Sequence, residues 1–193
     1  EIASCLVGSE MCIRDSHSKV YLFTRPRRFG KTLTMDMVRT FFEKTDTDTS
    51  IYFKDKYIWR AGAAYKEKQG QYPVIFLTFK DAHQSTWQDM YASLCFTLRN
   101  EFLRHIELTT SARLSDYDKK YLKSILDDEA TIIDYQFALG KLSAMLSKHY
   151  GRNVIVIIDE YDTPIQQGHI FGYYDEVIGL SLIHISEPTR QEA

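Results

Sequence analysis

Five apolar residues in a row, Val154-Ile-Val-Ile-Ile158, all of them isoleucine or valine, run straight into Asp159-Glu160. A run of β-branched residues without polar alternation does not suit a strand with one face in water. It suits a strand covered on both faces, which in practice means a parallel sheet between layers of helices. The two carboxylates then fall at the carboxyl end of that strand, the edge where open α/β sheets carry their ligands. Two more runs read as buried strands: Val20–Thr24 and Tyr72–Phe79, the latter with Pro73 tolerable only at its start.

Between the strands the apolar spacing turns helical. Lys31 to about Lys44 places Leu33, Met37, Val38, Phe41 and Phe42 on one side. Ser85 to about Ile106 does the same with Trp87, Tyr91, Leu94, Leu98 and Phe102, and about Thr131–Tyr150 with Ile132, Tyr135, Leu139, Leu142 and Leu146. Ser115-Asp-Tyr-Asp118 reads as a helix start, and Gly151 as a helix stop. The polar tract Asp46–Ser50 ends the first helix, and Ile51–Gln71 is aromatic-rich with no clear period. Strand, helix, strand, helices, strand predicts an α/β fold with a parallel sheet joined by right-handed crossovers.

The chain has 193 residues, 44% of them hydrophobic, enough for one domain with its own core. A formal net charge of −2 offers no bulk attraction to nucleic acid or an anionic membrane. The longest apolar runs are far short of the roughly 20 residues that span a bilayer, and no signal peptide is evident at the N-terminus. Cys5, Cys12 and Cys95 have unrelated spacing, so neither a disulfide framework nor a zinc site is expected, and a reducing cytoplasm is the default. Cys95 sits in a helical apolar pattern and reads as a small buried hydrophobe.

Residues 1–16 and 181–193 have no helical or strand period and resemble translated sequencing-adaptor DNA. They are set aside from the fold, leaving 17–180 as the domain.

Two segments carry chemistry. The first is Arg28-Phe-Gly-Lys-Thr32, between the strand Val20–Thr24 and the first helix. A polyphosphate needs backbone N–H groups pointing inward, a helix N-terminus, a cation and a hydroxyl for its metal. Gly30 permits the tight backbone approach, the helix beginning near Lys31 supplies its positive end, Lys31 reaches the outer phosphates, and Thr32 offers its hydroxyl to Mg²⁺. One position departs from the usual G-x-x-x-x-G-K-S/T pattern: Arg25 stands in the first glycine slot. The second segment is Asp159-Glu160, with Asp159 suited to hold the metal and Glu160 to polarise an attacking water as general base.

Arg25, Arg27 and Arg28 could contact phosphates, a partner or nucleic acid, and could equally form a solvated loop. Asp162 reads either as a support for the site or, more simply, as the cap of a turn. His17, His83, His105, His149, His169 and His184 show no metal spacing.

Tyr21-Leu-Phe-Thr-Arg-Pro-Arg-Arg-Phe-Gly-Lys-Thr-Leu33, Tyr72-Pro-Val-Ile75 and Val156-Ile-Ile-Asp-Glu-Tyr-Asp-Thr-Pro-Ile165 resemble the AAA-ATPase-like domain of prokaryotic proteins often fused to a PD-(D/E)XK nuclease domain. In that family an arginine in the place of Arg25 is expected. The resemblance implies a P-loop NTPase fold, three layers of α/β/α, binding ATP and Mg²⁺. It implies Arg28, Phe29, Gly30, Lys31 and Thr32 at the nucleotide, Thr32 and Asp159 at the metal, and Asp159 and Glu160 as the acidic pair, with Glu160 the catalytic residue. It also implies a switch or motor acting on a partner or on a fused nuclease-like domain, with oligomerisation possible in principle. The alternative is a non-catalytic module that binds nucleic acid or protein through Arg25–Arg28. The implied sheet order, 5-1-4-3-2, puts the strand after Val154–Ile158 between that strand and Val20–Thr24. The recognisable chain stops near Leu180, before such a strand, so the expected domain is truncated.

Overall fold

A computed structural model describes residues 29–180; the strand expected at Val20–Thr24, Arg25, Arg27, Arg28, His17, His184, Cys5, Cys12 and both adaptor-like ends lie outside them. The chain divides into two compact units, 1–74 and 75–193.

In the first unit, helix α1 (Lys31–Phe42) follows Gly30, which takes the left-handed conformation at φ 71°. The helix ends two residues earlier than its apolar pattern predicts. Glu43 turns to extended backbone, forms a parallel bridge with Tyr72, and Lys44 N–H donates to the Tyr72 carbonyl. The polar tract lies beyond that end and begins the next turn instead: Asp48 accepts from Ser50 N–H and starts a 3-10 turn, Thr49–Tyr52. The segment expected to be irregular contains two further single turns, α2 (Tyr57–Arg60) and α3 (Ala63–Lys66). Phe41, Phe53 and Ile58 form a small core, with Phe41 edge-on to Phe42 and Phe53 at 5.1 Å each. Met37, Val38, Phe42, Trp59 and Tyr65 pack around it. Leu33 does not join them. It is 64% exposed, and the buried residue of that first turn is Thr34.

The second unit begins within β1 (Val74–Thr78), which pairs in parallel with β2 (Ile155–Asp159). Among the described residues this is the whole sheet, so the structure is mixed helix and strand with a small parallel sheet. Between the strands run α4 (Trp87–Arg104), a 3-10 turn (Ile106–Thr110), α5 (Asp116–Leu126), α6 (Ile132–Gln136) and α7 (Ala138–Tyr150). After β2 come α8 (Thr163–Phe171) and α9 (Tyr174–Gly179). Three helices begin where their sequences ask. Thr86 caps α4 by accepting from Asp89 N–H, and Ser115/Asp118 and Thr131/Asp134 form reciprocal capping boxes on α5 and α6. Gly151 closes α7 at φ 66°.

The long helix expected over about Thr131–Tyr150 is two. Phe137 leaves helical geometry (φ −100°, ψ 2°), and the chain restarts at Ala138. The break follows from chemistry: the short α6 keeps its own capping box but leaves Ile132, Ile133 and Phe137 mostly exposed, so no continuous apolar stripe holds the two pieces in line. The core proper is built from Ile75, Leu77 and Phe79 of β1 and its following residue, Met90, Leu94, Leu98 and Phe102 of α4, Leu122 and Ile125 of α5, and Leu139, Leu142, Met145 and Leu146 of α7. β2 is less enclosed than its apolar run predicts: Ile157 and Asp159 are buried, while Ile155, Val156 and Ile158 are half-buried.

Candidate nucleotide site

The two sequence segments that carry chemistry fall in different units, and each has its own geometry. Arg28 lies outside the described residues. Phe29, Gly30, Lys31 and Thr32 come together at the start of α1. Gly30 occupies the N-cap position, where an added Cβ would meet nothing within 4 Å; glycine is required there by its positive φ, not by crowding. Thr34 N–H donates to the Gly30 carbonyl at 2.9 Å, and the Thr34 hydroxyl donates to the same oxygen at 3.0 Å. That doubled bond pins the left-handed glycine onto the first turn. Thr34 was not singled out in the sequence; its signal was a small hydroxyl residue four positions after the glycine, on the helix's inner face.

The first turn of α1 contains no acidic residue, and Gly30 provides no side-chain cap. The N–H groups of a first helical turn lack partners within the helix, and the helix dipole gives that end a partial positive charge. Lys31 adds a full positive charge at the same place. A lysine in the first turn opposes the dipole by a few tenths of a kcal/mol in an exposed helix, and the turn holds no acidic side chain to offset it. Thr32 stands exposed in the same turn and Phe29 is 66% exposed.

In the second unit Asp159 is the last residue of β2 and only 1% exposed. Its carbonyl accepts Phe79 N–H at 3.0 Å, extending the pairing with the β1 side past the end of that strand. Glu160 follows at φ 52°, one of two non-glycine residues at positive φ among the described residues. Its carbonyl accepts Thr163 N–H at 3.1 Å, closing a tight turn that leads directly into α8. Asp162 occupies the N-cap position of α8 and accepts Gln166 Nε2 at 2.7 Å, so it serves the turn and helix start. Pro164 fits the first turn of that helix. The turn therefore places a buried carboxylate and a half-buried, backbone-strained carboxylate on successive residues at a strand's end.

Of the described histidines, His83 is exposed and the other three have side-chain neighbours. His105 lies between Glu101 and Glu107, His149 Nδ1 is 2.7 Å from the Ser111 hydroxyl, and His169 stacks on Tyr174 at 4.0 Å. Among the described residues no group of three or more His, Cys, Asp or Glu is arranged to hold a metal. Cys95 is half-buried against the core and burial pushes its thiol pKa up, consistent with a packing role. No helix among the described residues is long and apolar enough to cross a membrane.

A family model described as "Predicted AAA-ATPase" matches residues 13–179. No curated protein and no solved structure matches the chain. With the match covering most of its length, the chain belongs to the AAA-ATPase-like family.

Proposed function

We propose that this chain is the nucleotide-binding part of an ATPase with the three-layer P-loop fold, binding ATP with Mg²⁺ and hydrolysing it to drive a partner or a fused, nuclease-like effector domain. Nucleic acid is a candidate target of that effector. The observation that carries the reading is the start of α1. A left-handed Gly30 leads into a first turn that holds Lys31 and Thr32 and no acid, so backbone N–H groups, helix dipole and a lysine all favour an anion. Membership of the AAA-ATPase-like family is consistent with ATP as that anion. The parallel pairing of β1 with β2 is the neighbour relation expected of strands 2 and 3 in such a sheet.

In this reading Phe29, Gly30, Lys31 and Thr32, with Arg28 before them, hold the phosphates. A threonine hydroxyl and the Asp159 carboxylate are hard oxygen donors of the kind Mg²⁺ takes, and the metal would neutralise charge on the phosphates. Glu160 accepts the proton of the attacking water. Burial of Asp159 and the fixed turn at Glu160 favour a preset geometry over a solvated strand end.

The experiment is Mg-ATP binding and phosphate release measured on the same protein. Lys31→Ala is expected to lower ATP affinity at least about tenfold, ~1.4 kcal/mol for a lost charge-assisted contact. Glu160→Gln is expected to retain binding and lose turnover, since the amide keeps the shape but accepts no proton. Unchanged ATP affinity in Lys31→Ala would overturn the phosphate-loop assignment. Unchanged turnover in Glu160→Gln would move the general base to another residue.

A further inference from the structure

Away from the nucleotide site, a charged cluster is buried where α4 ends. The Glu101 side chain is 5% exposed and its two oxygens are fully engaged. Oε1 accepts Phe76 N–H at 2.9 Å and Arg104 Nη2 at 2.6 Å; Oε2 accepts Arg104 Nε at 3.0 Å. Phe76 is the middle residue of β1. Phe79 N–H points to β2, and alternate residues of a parallel strand bond to opposite sides, so Phe76 N–H belongs to the side away from β2. The carboxylate thus binds β1 on the side away from β2.

His105, the next residue after α4, joins this carboxylate to a second one. Its side chain is 7% exposed, with Nε2 3.4 Å from Glu101 Oε1 and Nδ1 3.4 Å from Glu107 Oε1. Glu107 Oε1 also accepts the Tyr150 hydroxyl at 3.0 Å, from the end of α7. An imidazole with a carboxylate at each nitrogen satisfies both only as the doubly protonated cation. The cluster then holds two carboxylates and two cations, Arg104 and His105.

We propose that His105 is a proton-operated clasp: its imidazolium ties the carboxylate that binds the Phe76 N–H of β1 to the carboxylate held by α7, and loss of its proton loosens that bond to β1. β1 is the described neighbour of β2, whose end carries Asp159 and Glu160, so the clasp acts one strand away from the acidic pair.

The surrounding charges fit a group that titrates. On α4, Glu101 favours the charged ring and Arg104, whose Nη2 lies 3.3 Å from His105 Nε2, opposes it. On the 3-10 turn, Glu107 favours it. On α7, Tyr150 binds Glu107, His149 is held by Ser111 and by Arg113 on its carbonyl, and Lys148 is paired with Asp118 of α5 at 2.9 Å. Burial alone would lower the His105 pKa; the hydrogen bonds to Glu101 and Glu107 outweigh it and hold it above the ordinary value. Burial alone would raise the Glu101 pKa; the bonds from His105 and Arg104 outweigh it and hold it low.

The sign follows. A histidine with a raised folded pKa contributes stability that is complete below its ordinary value, about 6.5, and lost as pH rises through the folded value. Glu101 and Glu107, with lowered pKa values, contribute above the ordinary carboxylate range and fail as pH falls through theirs.

The test is an NMR titration of the His105 ring in the full chain, with amide exchange of Phe76 corrected for intrinsic pH dependence. The expected midpoint lies above ~6.5, and Phe76 protection falls about tenfold across it. Glu107→Gln lowers the midpoint, and His105→Gln makes Phe76 protection independent of pH over the same range. A His105 midpoint at or below ~6.5, or Phe76 protection that ignores the His105 charge, overturns the clasp. Should His105→Gln fail to fold, the wild-type titration and Glu107→Gln decide the matter alone.

Discussion

At the scale of single residues, the most informative position is Glu160. Its φ of 52° is a conformation that costs an L-residue about 1 kcal/mol relative to glycine. A glycine would relieve that strain, and the sequence places a carboxylate there instead. The prediction is a trade between stability and function. Glu160→Gly is expected to leave stability unchanged or raise it by up to ~1 kcal/mol, while Glu160→Val, β-branched at positive φ, lowers it by more than ~1 kcal/mol. Urea midpoints of the two variants check this, and a Glu160→Gly protein less stable than Glu160→Val would show that the side chain holds the turn. That Asp159 and Glu160 stand at the end of a strand was legible in the sequence, because five β-branched apolar residues lead into them. The left-handed backbone at Glu160 was not, since it comes from the tight closure onto Thr163 and the immediate start of α8. The same limit applied to His105. Its spacing excluded a metal, but its two carboxylate neighbours meet it only once α4 has ended and turned.

At the scale of elements, the signals that held are those decided within a few residues. Ser115 and Asp118 form the reciprocal box that their spacing predicts, with Ser115 Oγ donating to Asp118 Oδ2 at 2.9 Å. Gly151 stops α7 at positive φ, where an added Cβ would stand 3.4 Å from Arg113 Nη1. Ser115→Ala is expected to lower stability by ~1 kcal/mol, and Gly151→Ala by a similar ~1 kcal/mol, both read as shifts in denaturant midpoint at unchanged slope. A change within error in both would mean that the helix ends fray in the folded protein. The signals that misled are periodic ones without their partners. Ile132 continues the apolar register of α7 in sequence, yet 59% of it is exposed, because the register breaks at Phe137. Leu33 fits the stripe of α1 but sits about two turns before Phe41, the helix's contribution to the small core. A period reports which residues could share a face; only tertiary packing says how far along the helix that face is covered.

At the scale of the whole molecule, the described residues of the two compact units form cores of very different size. Those of the first centre on Phe41, Phe53 and Ile58, with Phe41 edge-on to Phe53. The second buries a continuous set from β1 through α4, α5 and α7 to Leu180. Stability scales with the apolar area removed from water, at roughly 25 cal/mol per Å², so the units differ in their capacity to resist local opening. The helix that begins the proposed phosphate loop belongs to the smaller one. Amide exchange is therefore expected to be faster over Lys31–Phe42 and the turns at Thr49–Lys66 than over α4 and α7, in the absence of nucleotide. A ligand that binds only the folded form stabilises it by about 2.7 kcal/mol at a hundred times its Kd. Saturating Mg-ATP should then slow exchange in α1 far more than in α7, where the core already sets the limit. Equal protection of both units without ligand would show that the small core is not the weaker one. A nucleotide effect spread evenly over α1 and α7 would show instead that the two units open together, and that binding energy spent at Lys31 is shared by the whole chain.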